Sequence, residues 1–83
     1  MSVRVLFFGS LADRMGTPER FVETSADGLT LSELRSLLAG GDAQVSAALQ
    51  PPVRAAVDQR IAPGDVRVRP GQEVAFLPVF SGG

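Results

Sequence analysis

Residues 3–8 alternate with the two-residue period of a β-strand and carry β-branched or aromatic side chains on both faces. Residues 20–24 have the same character. Between these segments, residues 11–15 are long enough for one or two helical turns, which Gly16 would end. Because the connection is local, we expect the two strands to pair in antiparallel fashion.

The clearest helix signal begins at Thr30, which forms a capping-box pattern with Glu33. The leucines that follow are expected to give one apolar stripe facing a sheet: Leu31, Leu34, Leu37 and Leu38. Two glycines at 40–41 end this helix. Asp42 can cap a shorter helix, which the prolines at 51–52 prevent from continuing.

The second half of the chain predicts three more strands. Residues 53–57 alternate, residues 66–68 read as a short strand, and residues 73–79 read as a last strand with Val74 and Phe76 facing inward. The predicted order is ββαβββ with one main helix. One helix packed across a mixed sheet of about five strands is an α+β architecture, and a last strand that returns to the middle makes it a β-grasp.

In a β-grasp sheet the first and last strands lie side by side and parallel. That pairing places Leu6 and Phe8 near Leu77 and Val79, on the face away from the helix. An apolar patch on that face is costly in water unless something covers it. A protein-binding surface and a surface covered by loops or short helices both fit this pattern.

The composition argues against several kinds of function. The 83 residues suffice for one domain, residues 1–83, and contain no Cys and no His. The commonest metal ligands and the commonest general base are therefore missing, and we expect no bound metal or cofactor. A net charge of −1 gives no basic field for nucleic acid. The short apolar runs predict no membrane span, so we expect a cytoplasmic protein.

Two glycines, Gly82 and Gly83, end the sequence, and residues 79–83 are expected to form a flexible tail. Glycines let a backbone enter a narrow channel in another enzyme. The Gly83 carboxylate resists nucleophilic attack until ATP-dependent adenylation makes it a good acyl donor. A sulfur nucleophile could then form a thiocarboxylate, so that a protein without cysteine could carry sulfur. A frayed end without function is the alternative.

Three segments of the chain, taken in order, resemble the small, MoaD-type subunit of molybdopterin synthase. They are residues 5–9 (VLFFG), residues 55–59 (AAVDQ), and residues 71–78 (GQEVAFLP) followed by the terminal glycines. The resemblance covers essentially the whole chain. It implies a ubiquitin-like β-grasp fold and the function of a sulfur carrier in molybdenum cofactor biosynthesis.

The resemblance also implies partners. An E1-like adenylating enzyme would activate Gly83 with ATP, and a sulfurtransferase would supply the sulfur. The large subunit of molybdopterin synthase, in a heterotetramer, would accept the tail and provide the active site in which sulfur passes to cyclic pyranopterin monophosphate. The chain itself would bind neither the metal nor, alone, the pterin.

Site residues follow from the same resemblance. Gly82 and Gly83 match the reactive tail, with Gly83 as the acyl-adenylate and thiocarboxylate residue. The expected partner-binding residues are Phe8, Ile61, Leu77, Phe80 and Ser81. The strand alternation selects Phe8 and Leu77 independently.

Other functions fit the same terminal chemistry. The chain could carry sulfur for thiamine thiazole, cysteine or transfer-RNA thiolation. It could instead be a ubiquitin-like modifier joined through Gly83 to lysines of target proteins, or an interaction domain whose tail is inert.

Overall fold

The computed structural model describes residues 1–79, which form seven strands and three helices. In chain order they are β1 (Ser2–Phe7), α1 (Ser10–Met15), β2 (Glu19–Glu23), β3 (Leu29–Thr30), α2 (Leu31–Ala39), α3 (Ala43–Leu49), β4 (Arg54–Val57), β5 (Arg60–Ile61), β6 (Arg67–Val68) and β7 (Glu73–Leu77).

Five of the strands form one mixed sheet in the order β2-β1-β7-β4-β5. β1 and β7, the first and last strands, run parallel at its centre, as predicted, with Val5 opposite Val74. The other pairs in this sheet are antiparallel, including the predicted pair of β1 with β2. The chain therefore has the predicted α+β architecture, with its last strand in the middle.

The hydrophobic core lies between this sheet and α2. Alternate residues of β1 and β7 face it and are almost fully buried, as the two-residue period predicts. They are Val3, Val5, Phe7, Val74 and Phe76. The rings of Phe7 and Phe76 stack with their centroids 6.1 Å apart, which fixes the register of the two central strands from the inside.

The capping box of α2 is confirmed. The Thr30 hydroxyl accepts a hydrogen bond from the Glu33 amide at 3.1 Å, and the Glu33 carboxylate accepts one from the Thr30 amide at 2.8 Å. Hydrogen bonding to the Glu33 carboxylate by Thr30, from its backbone amide first and then from its side chain, lowers the pKa of Glu33. Both ends of the box therefore satisfy amides that the first helical turn leaves unpaired.

The prediction that Leu37 faces the sheet was wrong. Leu31, Leu34 and Leu38 are buried, but Leu37 is 59% exposed. A residue six positions along a helix lies about 120° around its axis from the first, and so outside the face that meets the sheet.

β3 and β5, each of two residues, were not predicted, because so short a segment shows no alternating pattern of side chains. β3 pairs with β6 in a separate two-stranded sheet, so the predicted strand at 66–68 exists but lies outside the main sheet. β5 instead forms the edge of the main sheet beside β4. The last strand ends at Leu77, two residues earlier than predicted. Among residues 1–79 no helix has the length and apolarity needed to cross a membrane.

Candidate docking surface and C-terminal segment

Three of the predicted partner-binding residues come together on the face of the main sheet away from α2, which we call the outer face. Ile61 is opposite Ala56, and the next outer-face residue of β4, Arg54, is opposite Leu77. Phe8 follows β1, and its amide donates to the Phe76 carbonyl at 3.2 Å, which continues the parallel register one step and brings Phe8 beside Leu77.

These residues, with Leu6, form an apolar surface that we call the outer patch: Leu6, Phe8, Ile61 and Leu77. Phe8 is 47% exposed and Ile61 is 50% exposed, while Leu6 and Leu77 are half-buried. Within residues 1–79, neither a loop nor a short helix covers Phe8 or Ile61. Of the two interpretations of this face, the exposure favours a protein-binding surface.

Gly9 places Phe8 at the edge of this patch. Its φ of 56° and ψ of −136° form a conformation that residues with a Cβ rarely adopt. A Cβ at this position would also lie 3.0 Å from the Pro78 side chain. The close approach holds the start of α1 against the end of β7, the strand that leads to the C-terminal segment.

A two-residue turn at Asp58 and Gln59, both with positive φ, connects β4 to β5 and presents Ile61. The Asp58 carboxylate accepts hydrogen bonds from the Glu73 amide at 3.0 Å and from the Gln72 side chain at 2.8 Å. These two interactions, the Glu73 amide first, lower the pKa of Asp58. The turn that carries Ile61 is thereby fixed to the start of β7.

Most of the charged groups on the outer face lie on the half of the sheet formed by β2, β1 and the start of β7. Arg4 bridges Glu19 and Glu73, the latter with a nitrogen–oxygen distance of 3.4 Å, and the amino group of Met1 lies 3.2 Å from the Glu23 carboxylate. All of these groups are partly or largely exposed, so each pair contributes little to stability. Within the described residues, these ion pairs engage Glu19, Glu23 and Glu73, the acidic side chains of this part of the sheet.

A groove of about 780 Å³ adjoins the patch where β4, β5 and the loop before β4 meet. Prolines form much of its wall, and Ile61 and Val79 belong to its lining. Phe21, 62% exposed on β2, is a further apolar residue of the outer face that the sequence analysis did not single out. The alternation of residues 20–24 could have found it, since Val22 packs against the core.

The C-terminal residues that carry the predicted chemistry lie outside the described part of the chain. They are Phe80, Ser81, Gly82 and Gly83. Of the predicted tail, residues 79–83, only Val79 is described, and it is 55% exposed. Within residues 1–79 no group of three or more acidic or other metal-ligating side chains is placed to hold a metal ion.

Comparison with known protein families gives a match between residues 5–83 and the ThiS family. The chain belongs to the ThiS family. The match includes the outer patch and runs through Gly83. The sequence-based recognition of this group of proteins is thereby confirmed.

Solved structures give the fold of this ThiS-family chain as a ubiquitin-like β-grasp. The crystal structure of SAMP1 from Haloferax volcanii has a TM-score of 0.79 at 21% identity and covers 100% of both chains. Urm1 from Trypanosoma brucei has a TM-score of 0.71 at 20% identity, over 99% of this chain and 95% of that one.

A third structure includes a partner protein. It is the complex of subunits 1 and 2 of molybdopterin-converting factor from Helicobacter pylori, with a TM-score of 0.64 at 22% identity over 100% of both compared chains. The comparison with curated protein sequences finds no match.

Proposed function

We propose that this ThiS-family protein is a sulfur carrier for molybdopterin synthesis, with the carboxylate of Gly83 as its reactive group. The observation that carries the proposal is the position of Gly82 and Gly83, which follow by a few residues the central strand that contributes Leu77 to the outer patch. The patch supplies a place to dock, and the segment beyond it can reach into the active site of the docked partner.

The chemistry follows from what the chain contains. It has no Cys and no His, so its side chains provide neither a thiolate nor an imidazole for group transfer. A terminal carboxylate needs neither. In the proposed cycle a carboxylate oxygen of Gly83 attacks ATP within an E1-like enzyme, and pyrophosphate leaves. A sulfurtransferase then delivers sulfur at the oxidation level of hydrosulfide to the acyl carbon, and AMP leaves to give the thiocarboxylate.

Subunit 2 of molybdopterin-converting factor is the proposed acceptor of this sulfur. Support comes from the Helicobacter pylori complex, in which a chain of the same fold is bound to such a subunit. A heterotetramer of two small and two large subunits is part of the proposal, as is transfer to cyclic pyranopterin monophosphate. Because adenylation consumes ATP, the cycle belongs in the cytoplasm.

Protein modification is the second candidate, because the chain has the same fold as SAMP1 and Urm1. Both functions activate the same terminal carboxylate and differ in the nucleophile that attacks the activated acyl carbon, which is sulfur for a carrier and a lysine amine for a modifier. A carrier accumulates a thiocarboxylate, whereas a modifier accumulates isopeptide adducts on lysines of other proteins. Sulfur carriers for thiazole, cysteine or transfer-RNA thiolation share the first outcome and differ in the final acceptor.

A change of length at Gly83 tests the proposal. We expect that deleting Gly83, or adding one residue after it, abolishes sulfur transfer in a reconstituted reaction with the large subunit and the pterin precursor. One extended residue adds roughly 3.3 Å, as large as the separation of about 3–3.5 Å that reacting atoms must reach. Melting temperatures should stay near that of the native chain, since the change lies beyond β7.

The control is Ser36→Ala, which replaces an exposed side chain of α2 and keeps the length and terminus of the chain. It should retain most of the activity of the native chain. Near-normal product formation by the lengthened chain would contradict a mechanism based on the terminal carboxylate.

A further inference from the structure

We infer that the interaction surface extends from the outer patch to Arg54, and that the partner protein places a carboxylate against the Arg54 guanidinium. The inference rests on the proposed docking function and adds to it the charge that the partner must present at one position.

The strand register places Arg54 within the apolar surface. It begins β4 directly opposite Leu77, and Ala56, two residues later, is opposite Ile61. Since residues two apart on a strand share a face, Arg54 lies on the outer face with both patch residues. It also lines the groove beside the patch. Arg54 therefore lies where the outer patch meets the groove, and its side chain is exposed.

The acidic groups of the outer face are engaged elsewhere. Glu19 and Glu73 both pair with Arg4, and Glu23 pairs with the terminal amino group. Among the ion pairs of residues 1–79, none includes Arg54.

The other charged residues of the groove are engaged as well. Arg35 donates from Nε to the Leu49 carbonyl at 2.9 Å and lies 5.7 Å from the centre of the Phe76 ring. Asp65 accepts from the Ser32 amide at 2.8 Å, at the start of α2. Arg54 is thus the charged group of the groove that has no hydrogen-bonding partner within the described part of the chain.

A partner that covers Leu77 and Ile61 also removes water from Arg54. A guanidinium buried without an opposite charge is strongly unfavourable, whereas a carboxylate can form two parallel hydrogen bonds with its planar group. Favourable docking on this face therefore requires an acidic side chain opposite Arg54. The same requirement disfavours partners whose surface is only apolar at this point.

Replacing the Arg54 charge with an apolar side chain should change the affinity for the partner in opposite directions, depending on whether the partner places a carboxylate opposite Arg54. Arg54→Leu removes the charge and leaves a shorter, apolar side chain beside the outer patch. If a partner carboxylate faces Arg54, the variant leaves that carboxylate unpaired, and affinity for subunit 2 of molybdopterin-converting factor from the same organism should fall at least roughly thirtyfold. If none does, the variant should bind as well as the native chain or more tightly. Isothermal titration calorimetry with that subunit measures the difference.

Two further variants separate the possible failures. Arg60→Leu, on neighbouring β5 but registered with core-facing Val57, should bind like the native chain. Leu77→Asp should lose binding while keeping the fold. Tight binding of Arg54→Leu together with loss in Leu77→Asp overturns only the inference about Arg54. Absence of binding by the native chain contradicts the proposed function and this inference with it.

The terminal carboxylate of the chain itself is another acidic group that Arg54 could bind. If Arg54→Leu shifts the backbone NMR signals of Gly82 and Gly83 in the free protein, while Arg60→Leu does not, that carboxylate is the ligand and the inference is overturned. Unchanged glycine signals, with weakened binding to subunit 2, support it.

Discussion

Asp58 connects the turn that presents Ile61 to the strand that presents Leu77. Its φ is 48°, a conformation that Asp and Asn tolerate better than most residues, and its carboxylate accepts the Glu73 amide and the Gln72 side chain. Gln72 in turn accepts from the Arg69 amide at 2.8 Å. Single residues thus fix the relative positions of two patch residues that are distant in sequence.

The lowered pKa of Asp58 predicts how the variant Asp58→Asn responds to pH. A carboxyl group whose pKa is lower in the folded than in the unfolded protein stabilises the fold above its unfolded pKa, near 3.8, and this contribution is lost as pH falls through the folded value. Asn preserves the turn but not the charge. Denaturant unfolding should therefore find the variant less stable than the native chain at neutral pH, with the difference shrinking below the unfolded pKa.

A difference in unfolding free energy that stays constant from neutral to strongly acidic pH would contradict a role for the Asp58 charge. Binding of partner proteins by the variant should change little at neutral pH, because Asn can still accept the hydrogen bond from the Glu73 amide.

Among the secondary-structure elements, α2 is the one whose start depends most clearly on a few side chains. The capping box of Thr30 and Glu33 lies at the end of β3, and Asp65 adds a third acceptor at the Ser32 amide. Asp65 keeps a lowered pKa because Ser32 donates to it. The helix that covers the sheet therefore begins at one defined residue.

Thr30→Ala tests this cap. Loss of the hydroxyl acceptor should lower the free energy of unfolding by about 1 kcal/mol, within the usual range of roughly 0.5–2 kcal/mol for such a cap. Thr30→Ser keeps the oxygen and should recover most of the loss. Ser36→Ala, on the exposed side of the same helix, should have little effect. Equal unfolding midpoints for Thr30→Ala and Thr30→Ser would show that the cap contributes nothing.

The same elements show which parts of the fold sequence can predict. Long segments with a clear period were predicted: β1, β2, α2 and β7 lie close to the expected positions. β3 and β5 have two residues each and are defined by pairing with partners elsewhere in the chain, which no local pattern reveals. Leu37 shows the limit of a pattern read by spacing alone, because the helix geometry decides which leucines face the core.

Only some residues of the candidate site could be predicted from the alternation of side chains. Alternation alone placed Phe8 and Leu77 on the face away from α2, since both follow or belong to strands with alternate buried residues. Ile61 came only from the family resemblance, because β5 was not expected. The sequence analysis did not single out Arg54, because its importance depends on which other charges are already paired, and only the structure shows that.

At the scale of the whole molecule, the main sheet separates the hydrophobic core from the proposed docking surface. The core of the sheet and α2 lies on one side, the outer patch on the other, and the two parallel central strands belong to both. β7 links them directly, since Val74 and Phe76 face the core while Leu77 reaches the patch. In the proposed function, docking and delivery of the terminal residues therefore both depend on β7 and on the residues that follow it in the sequence.

The most direct measurement of the central claim is intact-protein mass spectrometry after incubation with the adenylating enzyme, ATP and a sulfur donor. The sulfur-carrier proposal predicts a mass increase equal to the exchange of one oxygen for sulfur, located at Gly83 by fragmentation and absent from the chain that lacks Gly83. Sulfur found elsewhere, or adducts to lysines of other proteins with no sulfur gain despite an active adenylating enzyme, would contradict it.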